Sequence, residues 1–89
     1  MRIAYTKRFN KQFDNLSQKK KDLVSAAIEQ FKQDLLTGTS TPSLRRHSLT
    51  GEWLGYDSIS AGGDLRLNYE VVKEGIVFVA VGTHSQLYG

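Results

Sequence analysis

Only two histidines occur in the 89 residues, and they stand far apart, His47 in "RRHSLTG" and His84 in "GTHSQLYG". Between them lie Asp64 and, two positions on, Arg66; Arg45 and Arg46 precede the first histidine, and Tyr88 follows the second by four. Histidine takes and gives protons near neutrality. A carboxylate can orient or charge it, and arginines can hold a phosphate. Cleavage of RNA through its own 2′-hydroxyl needs that set. The hydroxyl loses a proton, the 5′-oxygen gains one, and the charged phosphorane between them must be stabilised. Each residue also has a plainer reading. A histidine beside a turn is commonly a polar surface residue, and Asp64 after two glycines can cap a turn. Arg66 can pair with Glu70 or Asp57, while Tyr88 and Trp53 can simply pack on a sheet.

Other chemistries find less support. Two histidines without ligand spacing make no metal site. Gly62-Gly63 lacks the pattern of a phosphate-binding loop. With no cysteine there is neither a disulfide nor a thiolate site, which favours an intracellular protein. No 18-residue apolar stretch and no apolar leader stand in the sequence, so no membrane association is expected and the location expected is cytoplasmic. No cofactor is implied.

The elements that must position these residues change character midway. "RIAYT" reads as a short strand with Thr6 as a helix cap, and Phe9, Phe13 and Leu16 in "KRFNKQFDNL" mark one helix face. Ser17 caps a second helix over 18–36, whose stripe of Leu23, Val24, Ala27, Ile28, Phe31 and Leu35 is wide enough to lie on a sheet. Thr37–Pro42 is a loop. Beyond it, 46–51 and 53–60 read as short strands. Ala61–Asp64 is a turn before the strand 65–72, and Lys73-Glu74-Gly75 is a hairpin turn before the strand 76–81. The order predicts one α+β domain over 1–89, with a strand and two helices packed on one face of a small antiparallel sheet. Ten of the twelve Lys/Arg but only four of the nine acids fall in residues 1–47. A basic half suits a polyanion partner as well as a solvated, lysine-rich surface.

The residues "RRHSLTGEWLGYDSI", "GGDLRLNYEV" and "IVFVAVGTHSQLYG" form three blocks that, in this order and spacing, resemble the YafQ branch of the RelE/ParE toxin superfamily of bacterial type II toxin–antitoxin systems. With the strand–helix–helix beginning, the resemblance spans the chain and implies a RelE-like fold. It implies a metal-independent endoribonuclease, an mRNA interferase acting on translated messages in the ribosome. The partners implied are the ribosome with its mRNA, a cognate antitoxin and, through that antitoxin, operator DNA. By position, His47, Asp64 and His84 match the family's catalytic residues, His84 serving proton transfer. Tyr88 takes the place of a terminal aromatic, usually Phe, that helps position RNA. Arg45, Arg46 and Arg66 join it as expected substrate contacts, Arg66 matching an arginine on the corresponding strand of the RelE branch. Where the family carries an acid and a histidine after the Gly-Tyr pair, this chain has Ser58 and Ser60. Two alternatives share the fold: a ParE-like gyrase inhibitor with no need of His47 and His84, and a catalytically weak module that mainly pairs with its antitoxin and co-represses its operon.

Overall fold

The computed structural model describes residues 1–89. The elements run β1 (Arg2–Tyr5), α1 (Lys7–Asp14), α2 (Gln18–Thr37), β2 (His47–Ser48), β3 (Asp57–Gly62), β4 (Leu65–Val72), β5 (Gly75–Thr83) and α3 (His84–Tyr88), with 3₁₀ turns at Pro42–Leu44 and Gly51–Trp53. The expected α+β class is observed. The sheet order is β1-β5-β4-β3-β2, antiparallel throughout except for β1, which lies parallel to β5 at one edge.

Local chemistry sets the helix starts. The Thr6 hydroxyl accepts from the Phe9 amide at 3.1 Å and that of Ser17 from the Lys20 amide at 3.3 Å, each satisfying a donor that a helix N-terminus leaves free. Gly38, at φ +71°, closes α2 in the left-handed conformation that a residue with a Cβ adopts only at a cost. Val24, Ala27, Ile28 and Phe31 of α2 are buried as the stripe predicts, but Leu23 is 42% exposed, on the shoulder of the helix.

Phe31 meets Tyr69 of β4 at 4.8 Å and Phe78 of β5 at 6.0 Å between ring centroids, and Phe9 of α1 reaches Phe78 at 5.7 Å. Each such pair adds roughly 0.5–1.5 kcal/mol to simple burial. Beyond the end of β1, α1 takes over the edge of β5. The Thr6 hydroxyl donates to the Val79 carbonyl at 3.1 Å, and the Gln12 side chain accepts from the Val81 amide at 2.9 Å. Backbone groups that a bare edge would leave unpaired are thereby satisfied.

Two expected strands are shorter than the sequence suggests. The span 46–51 contributes only His47–Ser48, and 53–60 becomes strand only at Asp57. Gly51 at φ +64° and Gly55 at φ +97° turn the chain between them, so Trp53–Tyr56 cannot extend. Beyond β5 a third helix, α3, folds back over the sheet. Thr83 and Gln86 make a reciprocal capping box there, with the Gln86 amide donating to the Thr83 hydroxyl at 3.3 Å and the Thr83 amide to Gln86 Oε1 at 2.9 Å.

Candidate active site

Strand alternation divides β4 between two faces. Leu65, Leu67 and Tyr69 face α2 and the core, so Arg66 and Asn68 face the other way. The register carries that second face across the sheet, with Asn68 opposite Ser58, Ser58 opposite His47, and Arg66 opposite Ser60 and Gly82. One extra residue in β5, Val79, shifts the register between Asn68 and Tyr69, so Ala80 and Gly82 also join this face. Both are small. A Cβ on Gly82 would stand 3.0 Å from Gln86 Oε1 and 3.5 Å from a Leu87 methyl, which shows how closely α3 lies on the sheet.

Here His47, Arg66, His84 and Tyr88, together with Leu49 and Thr50, line one cavity of about 280 Å³. The two histidines, 37 positions apart in sequence, thus share a pocket. A larger cavity of about 550 Å³ opens beyond Trp53, lined by Arg8, Glu52 and Tyr56 among others, but no histidine lines it.

His47 is held by its near neighbour. Its Nδ1 lies 2.7 Å from the carbonyl oxygen of Arg45, and a carbonyl can only accept, so Nδ1 carries the proton. Arg45 adopts φ +47°, a left-handed conformation rare for a residue with a side chain, and in it presents that carbonyl to the ring. The neutral imidazole therefore keeps its lone pair on Nε2. His84 opens α3, its backbone amide bonded to the Asp64 carbonyl at 3.1 Å and its ring set edge-on to Tyr88 at 4.9 Å. Tyr88 in turn donates its hydroxyl to Asn68 Oδ1 at 2.5 Å, and the Trp53 indole donates to the Leu87 carbonyl at 3.2 Å. Leu87 is buried beneath.

Arg66 Nη1 donates to Ser60 Oγ at 3.3 Å and to the Gly63 and Leu65 carbonyls at 3.1 and 3.2 Å. The one ion pair in the protein joins Lys32 and Glu29, so no carboxylate neutralises Arg66. Its charge is free for an anion in the cavity.

The remaining expected residues stand elsewhere. Arg46, the residue before β2, points to the opposite face and lays its guanidinium over Phe31, 5.5 Å from the ring centroid. Arg45 acts here through its carbonyl. Asp64 is exposed in the β3–β4 turn and lies outside the cavity lining, contributing its carbonyl to His84. Ser58, where the family pattern has an acid, is fully buried with its hydroxyl unpartnered.

Sequence reasoning passed over two residues that shape the site. Asn68 is a buried amide in the middle of an apolar strand, and such a group needs a partner from somewhere. Asp34 sits in the last turn of α2, where the helix dipole disfavours an acid. Its carboxylate accepts from the Thr41 amide and hydroxyl, both at 2.7 Å, from Gln30 at 3.0 Å and from Thr39 at 3.2 Å. The Thr41 amide above all holds its pKa at about 2, below the usual 3.8. This clasp fixes the loop that delivers Leu44, Arg45 and His47. An acid at a helix C-terminus followed by a threonine-rich loop was the available signal.

Over residues 1–89 the sequence matches the family described as bacterial toxin of type II toxin-antitoxin system, YafQ. No curated protein sequence matches the chain. Among solved structures, YafQ from E. coli strain BL21(DE3) is similar with a TM-score of 0.75 and 22% identity over 99% of this chain and 98% of that one. The E. coli DinJ-YafQ toxin-antitoxin complex gives 0.73 and 22% over 99% and 97%. The RelB-RelE antitoxin-toxin complex from Methanococcus jannaschii gives 0.70 and 19% over 96% and 94%. At these identities the structures establish a shared fold.

Proposed function

The chain belongs to the YafQ family of toxins of type II toxin–antitoxin systems, and from that premise we propose that it is an endoribonuclease that cuts mRNA on the translating ribosome. The observation that carries the reading is the convergence of His47 and His84 on one cavity beside the unpaired charge of Arg66. Two imidazoles can perform both proton transfers of 2′-hydroxyl attack, which is why the reaction calls on no metal ion.

The hydrogen bonding divides the roles. His47, with Nδ1–H tied to the Arg45 carbonyl, offers the Nε2 lone pair that takes the 2′-hydroxyl proton. The resulting alkoxide attacks phosphorus while the bond to the 5′-oxygen breaks, and protonated His84 delivers a proton to that oxygen. The products are a 2′,3′-cyclic phosphate and a 5′-hydroxyl. Arg66 stabilises the extra negative charge on the phosphorane, a contribution that in comparable sites reaches 10²–10³ in rate. Tyr88 offers its ring to a base. Asp64 positions His84 through its carbonyl.

An antitoxin is the partner that fits this reading, by analogy with the DinJ-YafQ complex. The Lys/Arg-rich first half supplies a surface for ribosomal RNA and for an acidic antitoxin segment that mimics it. No helix is long and apolar enough to cross a membrane, in keeping with a cytoplasmic target. The test is primer extension on a translated message after induction of the protein alone. Breaks in register with codons support the proposal; intact messages with altered DNA supercoiling overturn it in favour of a gyrase inhibitor.

A further inference from the structure

We propose that Asn68 is a positioning residue of the site: its buried amide fixes Tyr88 and, through the Tyr88 ring, the imidazole of His84. The inference rests on the nuclease reading for its kinetic consequence and on geometry alone for its structural one.

Asn68 has no accessible surface and lies at the centre of β4, on the face turned away from α2. Its strand neighbours in register are Ser58 and Ala80. The amide makes one side-chain hydrogen bond, accepting from Tyr88, while its Nδ2 and the adjacent Ser58 hydroxyl remain unpartnered. A buried amide with an idle donor is costly, and an apolar residue of the same shape would remove that cost. What an apolar residue cannot supply is the acceptor for Tyr88. The amide is therefore tied to the tyrosine rather than to the sheet.

The tyrosine passes the constraint on. α3 is little more than one turn long, and its other tethers act at Leu87, through burial and through the bond from Trp53 to the Leu87 carbonyl, and at the His84 backbone amide, bonded to the Asp64 carbonyl. None of them touches the His84 side chain. The contact made by that ring is with Tyr88, edge-on at 4.9 Å. With its hydroxyl drawn into the sheet, Tyr88 stands as a fixed wall against which His84 rests, its ring flanked on another side by Trp53 at 6.3 Å. The sequence Asn68–Tyr88–His84 thus converts a buried polar contact into the orientation of an exposed imidazole.

The experiment compares wild type with Asn68→Leu, Tyr88→Phe and the double variant, each checked by circular dichroism. Substrate is a ribosome-bound message. Each single change should lower kcat about tenfold, the scale of one hydrogen bond, at unchanged KM. The double variant should be no worse than the weaker single, because both changes break the same bond. In ¹H–¹⁵N spectra the His84 imidazole signals should shift and broaden in both single variants, while those of His47, held by Arg45, stay in place. Additive losses, a rise in KM alone, or His84 signals identical to wild type would overturn the proposal. If wild type leaves RNA intact, the nuclease reading fails, and the imidazole spectra alone decide the positioning role.

Discussion

Replacing Leu87 by alanine should release α3 while leaving the rest of the fold in place. Leu87 is buried but lies outside the main core cluster, on the sheet face opposite α2. Burying a leucine contributes about 1.5–3 kcal/mol. The bonds from Trp53 to the Leu87 carbonyl and from Tyr88 to Asn68 add about 1 kcal/mol each, and the Thr83–Gln86 capping box about 1 more. Against this stands the entropy of ordering the residues of α3, about 1–2 kcal/mol apiece. The two sides are of similar size, so the docking of the helix is sensitive to the loss of any one contact. Loss of about 2 kcal/mol at Leu87 shifts its docking equilibrium roughly 30-fold. Hydrogen exchange reads this directly. The amides of His84 and Gly89, bonded to the Asp64 and Ser85 carbonyls, should exchange faster, while those of Leu67 and Phe78 within the sheet keep their protection. RNA cleavage should fall by about tenfold or more. A uniform loss of protection across β4 and β5, with α3 no more affected than the sheet, would refute the reasoning, since Leu87 would then be an ordinary core residue.

Arg66→Met should lower cleavage on the order of 100-fold without altering the melting temperature, and Arg66→Lys should recover part of the loss; single-turnover assays check both. Asp34 has a folded pKa of about 2, depressed from 3.8, so its stabilising effect is complete above the higher value and disappears as pH falls toward 2. Acid titration followed at the Thr41 amide should show the loop detach in that window, and Asp34→Asn should remove the transition at the cost of a looser loop at neutral pH. Gly75→Ala should destabilise the protein by more than about 2 kcal/mol in urea, because φ is +152° and the new Cβ would fall 2.0 Å from the Arg2 carbonyl oxygen, prising β1 from β5.

Much of the frame was legible where one physical signal dominated. Thr6 and Ser17 cap the helices that their positions suggest, and Phe9, Val24, Ala27, Ile28 and Phe31 are buried because a 3.6-residue period leaves them one face. The turns expected at Ala61–Asp64 and Lys73–Gly75 are present but tighter, at Gly63-Asp64 and Lys73-Glu74, because β3 runs on to Gly62 and β5 starts at Gly75. The strands at 46–51 and 53–60 were overread because their apolar content hid two glycines in left-handed conformations. The parallel placement of β1 beside β5 depends on pairing over more than 70 residues, which no local pattern encodes. At the site, residue types alone could not say that His47 and His84 line one cavity; that requires the register across β2, β3 and β4. Nor could they separate Arg66, which faces the cavity, from Arg46, which just before β2 turns to Phe31. The helical form of α3 could have been read from Thr83 and Gln86, the two ends of a capping box.

The central claim is that His84 moves a proton in RNA cleavage, and the most direct measurement follows a defined message on stalled ribosomes with wild type and with His84→Gln. Glutamine keeps polar reach but carries no proton at neutral pH. The account predicts codon-register breaks ending in 2′,3′-cyclic phosphate with wild type. With the variant, cleavage should fall by at least 10²–10⁴-fold, the scale of general acid–base catalysis, although ribosome binding and the circular dichroism spectrum are retained. A His84→Gln protein that cuts at the wild-type rate, or a wild-type protein that leaves the message whole, would contradict it.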